Sequence, residues 1–406
     1  MSALLAAATV AGTIAAVVRV TPAVATALTP PSARDFMGMA YDAARNQVVL
    51  FGGGDPRNFA DTWTWDGVDW TQRTPAHSPS GRRGMGMTYD AARAQVVMFG
   101  GYNGGFLADT WTWDGTDWTQ RTPAHSPPAR YGMGMTYDAA RGQVVLFGGF
   151  TDVFLSGTWT WDGTDWTERT PAHSPSAREG PGLIYDAALS LVVLFGGRAF
   201  PIYSDTWTWD GTDWAQRTPA HAPSGREYMG MAYDAARAEV VLFGGIGERL
   251  RANTWTWDGT DWTHRTAAHA PTRRFGMGMT YDAARSQVVL FGGITGPAGS
   301  LGDTWTWDGT DWAIPFRASL TVTPESGPPG TLAMVHGSGF GGGEEVVLIF
   351  IDSVTGITKL RIVKALGTGS FTKRVIIPLN ATVGTQHVRA RARGSGQSRR
   401  KDFTVT

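Results

Sequence analysis

The chain repeats itself six times. Tyr-Asp dipeptides begin at Tyr41, Tyr89, Tyr137, Tyr185, Tyr233 and Tyr281, an unbroken step of 48 residues. Trp-Asp-Gly triplets follow at Trp65, Trp113, Trp161, Trp209, Trp257 and Trp307, the last step widening to 50 because the sixth copy has a longer loop. A fixed period of this length means that each copy is one supersecondary unit, which buries its apolar face only by stacking on its neighbours. The six copies must therefore fold as one array.

The second copy shows what the unit is. Gly84–Asp90 (GMGMTYD) predicts a first strand, and Gln95–Gly101 (QVVMFGG) a β-branched second one closed by paired glycines. Asp109–Gly115 (DTWTWDG) predicts a third, with Trp111 and Trp113 on one face and Thr110 and Thr112 on the other. Asp117–Pro123 (DWTQRTP) predicts the fourth. The intervening Asp-Gly-Thr-Asp reads as a hairpin turn, glycine supplying a permissive backbone and aspartate a side-chain bond to it. It lacks the ligand count of a calcium loop. The proline-bearing AHSPPAR then crosses to the next copy, and no stretch carries a convincing helical period.

Four short strands per unit, separated by turns, is the pattern of a β-propeller. The glycine doublet of VVLFGG, followed by DTWTWDGTDW, resembles the kelch repeat, whose period of about 50 suits this chain better than the 40–45 of WD40 repeats. The resemblance covers residues 34–317 and implies an all-β fold, a six-bladed kelch-type β-propeller with four strands per blade. It implies little about activity, since kelch propellers serve as enzymes, adaptors and binding modules alike. The 18 tryptophans fall three to a copy. A residue required by every blade is most simply a packing residue between sheets.

Charge divides the chain near residue 317. Residues 1–317 carry 24 arginines, no lysine and 30 acidic residues, whereas 318–406 carry 11 basic and 5 acidic ones, so the formal total of zero conceals two segments of opposite sign. A balanced total argues against nucleic-acid binding. Ala318–Phe350, with SGPPGT and then GSGF between strand-like runs, resembles the opening of IPT/TIG and related bacterial Ig-like domains. A β-sandwich of about seven strands over 318–406 is implied. Arg389, Arg391 and Arg393 alternate with alanines and should share a solvated face, or a face for an anionic cell-wall polymer.

Residues 1–27 read as an export signal. Ala3–Val18 is an uncharged 16-residue run, with small-x-small sites at Ala23-Val24-Ala25 and Ala25-Thr26-Ala27. The first basic residue, Arg19, stands behind the run instead of before it, which leaves an uncleaved anchor as the alternative. Either way the propeller (28–317) and the sandwich (318–406) are predicted to be secreted or held at the cell surface, as a monomer. With no cysteine, thiolate chemistry and disulfides are excluded.

Only residues that differ between copies can give a symmetric ring one specific site. The loops after the glycine doublets differ, and they offer Arg57 and Asn58, Tyr102 and Asn103, Asp152, Arg198 and Tyr203, then Glu248, Arg249 and Arg251 as ligand-binding candidates. This mixture suits a polar ligand such as a glycan, or a protein. A second variable row follows an arginine present in all six copies (Arg34, Arg82, Arg130, Arg178, Arg226 and Arg274). There, Tyr131, Glu179 and Glu227 occupy three successive blades at the predicted channel rim, as candidates for acid–base chemistry. The repeated arginines themselves should bond loop carbonyls or an aspartate. His77, His125, His173, His221 and His269 fall in the crossings, one per blade around a ring, so they should not converge on a metal, and no cofactor is expected.

The leading reading is a non-catalytic binding or interaction protein that holds a glycan or protein on the propeller's loop face. The alternative is a propeller enzyme acting on carbohydrate, sialidase-like or oxidase-like, with its site at the channel rim. Galactose oxidase-like proteins similarly join a kelch-type propeller to a C-terminal Ig-like domain. Their copper radical site, however, needs a tyrosine cross-linked to a cysteine, which this chain cannot supply. Sialidases resemble it in blade number, yet their clustered arginines have no counterpart in arginines that repeat with the blades.

Overall fold

The computed structural model describes residues 30–296, 299–315, 319–340, 345–366, 370–392 and 398–406. The export-signal segment 1–27 and the junction at 316–318 lie outside the described residues. Among the described residues there is no α-helix. Six four-stranded antiparallel sheets, one per copy, make a propeller-like repeat fold. The first consists of β1 (Gly38–Asp42), β2 (Gln47–Phe51), β3 (Thr62–Trp65) and β4 (Trp70–Arg73), paired in chain order. In β1 and β2 Tyr41 faces Val48, and the turn between them is closed by Asn46 in a left-handed conformation with φ 52°. Later copies follow the same plan. The Asp-Gly hairpins are turns: Asp114 Oδ1 accepts from the amides of Thr116 and Asp117, and Gly115 has φ 101°.

Neighbouring sheets are joined by the tryptophans. Trp113 and Trp118 are fully buried, and Trp118 packs edge-on against Phe51 of the preceding sheet at 5.2 Å. Its indole N–H donates to Thr62 Oγ1, again in the preceding sheet, at 2.9 Å. This satisfies a donor that burial would otherwise leave unpaired. The third tryptophan of the copy has a different task, since Trp111 Nε1 donates to Asp109 Oδ2 at 2.7 Å. Methionines provide the inner wall. A Cβ on Gly38 would come within 2.6 Å of Met87 Sδ, so the alternating Gly-Met of five first strands lets one sheet's thioether fill the space left by its neighbour's glycine; in the fourth copy Leu183 takes that role against Gly134.

The sixth sheet meets the first through the same contacts. Trp70 Nε1 donates to Thr304 Oγ1 at 2.9 Å and packs on Phe291 at 5.2 Å. The segment before β1 contributes as well: Arg34 N–H donates to Leu301 O, and Arg34 O accepts from Gly293 N–H. A belt of backbone hydrogen bonds then runs round the inner edge. Phe36 N–H donates to Gly276 O, Gly84 to Phe36, Gly132 to Gly84, Gly180 to Gly132, Tyr228 to Gly180 and Gly276 to Tyr228, at 2.7–2.9 Å. Each sheet is open and built from its own copy, so the succession returns to its start by packing and by this belt, without a shared strand.

The arginines act as the sequence implies. In the second copy, Arg82 donates to Gly100 O and, through both Nη atoms, to Asp109. The crossing histidines clasp the next sheet; His77 Nδ1 lies 2.7 Å from Asp117 Oδ2, one such pair per crossing and none converging. The basic segment forms a three-stranded sheet (Ser319–Thr323, Leu332–Ser338, Phe371–Ile376) and a five-stranded one, which share a core that includes Val335, Phe350 and Phe403. On its Gly384–Ala392 strand Val388 and Ala390 are buried and Arg391 is exposed, the expected alternation; Arg393 lies outside the described residues.

Candidate functional site

The two variable rows of the sequence are one site. In each copy the residue after the repeated arginine pairs with the residue after the glycine doublet across an isolated antiparallel bridge: Asp35 with Gly54, Arg83 with Tyr102, Tyr131 with Phe150, Glu179 with Arg198, Glu227 with Ile246, and Phe275 with Ile294. The glycine doublets permit this, because Gly196 and Gly197 have φ of 64° and 98° and turn the loop back over the first strand. Arg198 and Glu179 therefore exchange both backbone hydrogen bonds at 2.8 Å. Their side chains, lying side by side, pair at 2.8 Å.

Two residues that the sequence reading passed over complete the cluster. The belt position is glycine in four copies, with φ of 61–65°, but Phe36 and Tyr228 in the other two, with φ of 50° and 52°. A bulky residue in this conformation is an outlier. The belt's hydrogen bonds enforce the backbone, and the side chains swing across the mouth of the channel. Tyr228 meets Phe36 edge-on at 4.9 Å. Its hydroxyl is hydrogen-bonded to both the Tyr131 hydroxyl and Glu179 Oε2, at 2.8 Å each. Arg198 Nη1 lies 3.3 Å from Glu227 Oε1. Tyr131, Glu179 and Glu227 are thus brought together, by Tyr228 and Arg198. The signal was present in the sequence as an aromatic standing where the other copies have glycine.

Burial governs the electrostatics. It pushes the Glu227 carboxyl up to about 7, against Arg198 and with help from Glu179. Among the described residues Glu227 Oε2 is buried without a hydrogen-bond partner. Burial also holds the Tyr228 phenol well above its ordinary value, with Tyr131 and Glu179 adding to the effect. Asp35, bonded by Ser300 Oγ at 2.7 Å, is raised by burial too. The cavity at the belt measures about 130 Å³ and is lined by Phe36, Tyr228 and methionines. Small-molecule pockets usually span roughly 300–1,000 Å³. The cavity at this end is thus too small to enclose such a molecule.

No protein-family model matches the sequence, and no curated protein does. Three solved structures illustrate the structural likenesses. A GH43_12 protein retrieved from a capybara gut metagenome covers 93% of this chain and 92% of its own at 11% identity, with a TM-score of 0.35. A tetra-tandem repeat from the extending region of a large adhesion protein covers 91% of this chain and 99% of its own at 12% identity and a TM-score of 0.18. Macromomycin covers 22% of this chain and 99% of its own at 19% identity and a TM-score of 0.19. Superpositions this loose carry no functional assignment.

The remaining candidates divide. Tyr102 meets Tyr131 edge-on at 6.5 Å and so borders the cluster. Asn58 donates to Tyr102 O and Asn103 to Ser80 Oγ, which makes both of them loop braces. Tyr203 lies beneath the Arg178 guanidinium at 4.0 Å, a stacking contact that supports the repeated arginine. Arg57, Asp152, Glu248 and Arg249 are exposed, and among the described residues none of them bonds to the cluster. Arg251 lies beside Arg226, where its charge adds to burial in lowering that guanidinium to about 10.

Proposed function

We propose that this chain is a six-bladed kelch-type propeller followed by an Ig-like domain of IPT/TIG type, secreted or displayed at the cell surface as a monomer, which binds a glycan at the propeller mouth. One observation supports this most: an unbroken strip of aromatic rings leads from the mouth on to the loop face. Phe36 touches Tyr228, and Tyr228 stands 6.4 Å from Tyr131. Tyr131 meets Phe150, which meets Phe154 at 5.1 Å, and Phe154 meets the exposed Phe200 at 6.0 Å. Glu179, Arg198 and Glu227 flank the strip. Rings that stack on the apolar faces of sugars, beside acceptors and a guanidinium for hydroxyls, are the composition of a carbohydrate site. A protein ligand on the same face and an anionic polymer on the basic sandwich are the alternative partners.

The test is a glycan and cell-wall panel probed with Leu28–Thr406. Saturable binding that Tyr228→Gly abolishes supports the reading. Binding that persists in that variant but disappears on deleting 318–406 moves the site to the basic domain and overturns it.

Glu227 favours a second reading, acid–base catalysis on a sugar. A carboxyl raised to about 7 is suited to act as a proton donor near neutrality, beside Glu179. Release of reducing ends from any panel member, lost in both Glu227→Gln and Glu179→Gln, would establish it.

A further inference from the structure

Each copy carries a buried arginine before its first strand, and four copies supply it with an aspartate: Asp61, Asp109, Asp205 and Asp303. In the second copy Arg82 Nη1 donates to Asp109 Oδ1 at 2.5 Å and Nη2 to Oδ2 at 2.8 Å, while Trp111 Nε1 donates to Oδ2 at 2.7 Å. Three N–H groups thus converge on one carboxylate. The third copy has glycine, Gly157, in the aspartate's place.

The donors remain there. Arg130 keeps the two anchoring bonds of its counterparts, Nε to Pro128 O at 2.9 Å and Nη1 to Gly148 O at 3.0 Å, so its guanidinium is held in the usual place. It is only 2% exposed, and Trp159 is 8% exposed. Among the described residues no carboxylate pairs with Arg130 and nothing accepts from Trp159 Nε1. Burial without a counter-ion draws the Arg130 guanidinium down to about 10, opposed by the more distant Glu168. In the other copies the aspartate side chain is 18–34% exposed, so the place it occupies is open to solvent.

We propose that the gap at Gly157 is a binding site for a small carboxylate, no larger than the missing aspartate side chain, held by Arg130 Nη1 and Nη2 and the Trp159 indole N–H. Bidentate guanidinium–carboxylate pairing is geometrically specific and strong when shielded from water. Glu168 is the internal competitor. It occupies the strand position held by Gln72, Gln120 and Gln216 in three other copies, and its Oε1 lies 3.7 Å from where a Gly157 Cβ would stand. Its exposed side chain rims the gap without filling it. The site is separate from the mouth cluster and neither reading depends on the other.

Acetate is the probe, titrated into the full chain at constant ionic strength with chloride as the control. The indole ¹H–¹⁵N resonance of Trp159, assigned by its loss in Trp159→Phe, should shift saturably. Thermal stability should rise by roughly 2–4 °C at saturation. Gly157→Asp supplies the carboxylate covalently at an ordinary φ, and should abolish both responses while matching the stability of the acetate-saturated chain. Glu168→Gln should strengthen the acetate response. An unmoved Trp159 resonance, or an equal response in Gly157→Asp, would overturn the proposal.

Discussion

The Tyr228 hydroxyl lies 2.8 Å from Glu179 Oε2, although the two residues belong to different copies and 49 residues separate them. Together with Arg198, which pairs with Glu179 and approaches Glu227, this contact breaks the six-fold sameness of the ring at one mouth. Everything specific about the site follows from an aromatic side chain placed on a backbone position shaped for glycine. Tyr228→Phe removes only the hydroxyl and leaves the ring across the mouth. It is expected to cost about 1 kcal/mol, the loss of a partly buried hydrogen bond, and to weaken ligand binding. Denaturant unfolding and a binding titration check the two effects separately.

Glu227 links folding to pH. Its carboxyl is raised from 4.5 to about 7, so between these values the folded protein holds a proton that the unfolded chain has released. The stabilisation this gives is complete below the unfolded value and is lost as pH rises through about 7. The groups facing it are Arg198 and Glu179, with Tyr228 behind them. Glu227→Gln removes the titration without changing shape. Its melting temperature relative to wild type should rise between about pH 5 and pH 8.5. A difference that stays flat with pH would contradict the assignment.

The arginines give a graded test of the scaffold. Arg82→Ala strands the Asp109 carboxylate, 21% exposed, and should cost roughly 3 kcal/mol or more, as breaking a largely buried pair does. Arg130→Ala strands no carboxylate and should cost distinctly less, although the two arginines are equally buried. Equal losses in chemical denaturation would mean that the loop carbonyls, not the aspartates, set the value of these residues.

The tryptophan joints should behave as core. Trp118→Ala empties a space filled against Phe51 and is expected to cost about 3–5 kcal/mol. Thr62→Val, which leaves the Trp118 indole N–H without its acceptor, should cost about 1–3 kcal/mol. Thr304→Val does the same at the joint between the sixth and first sheets. A similar loss there would show that this joint is as tight as the others.

Most of the sheet architecture was legible because the copies are nearly identical. A turn such as Asp114–Asp117 or a strand such as Gln143–Phe147 recurs with its pattern intact, and local chemistry determines it. The interlock of Gly38 with Met87 was spelled out by the alternating Gly-Met, yet it has meaning only once two sheets face each other. The site was half legible. Variable residues picked out Glu179, Glu227, Tyr131 and Arg198, but the bridge that pairs the residue after each repeated arginine with the loop 19 positions later depends on the glycine doublet's backbone. The reach of Tyr228 across the mouth depends on the succession of sheets returning to its start, a non-local fact that no window of sequence contains.

The most direct test of the account is to compare affinity for a panel-identified glycan between two variants of Leu28–Thr406. One carries Arg198→Ala at the mouth; the other carries Glu248→Ala, Arg249→Ala and Arg251→Ala on the fifth copy's loop. The account predicts at least a tenfold loss in the first, about 1.4 kcal/mol for a charge-assisted contact removed, and little change in the second. Loss confined to the fifth-copy variant would contradict it and place the site on the outer loop.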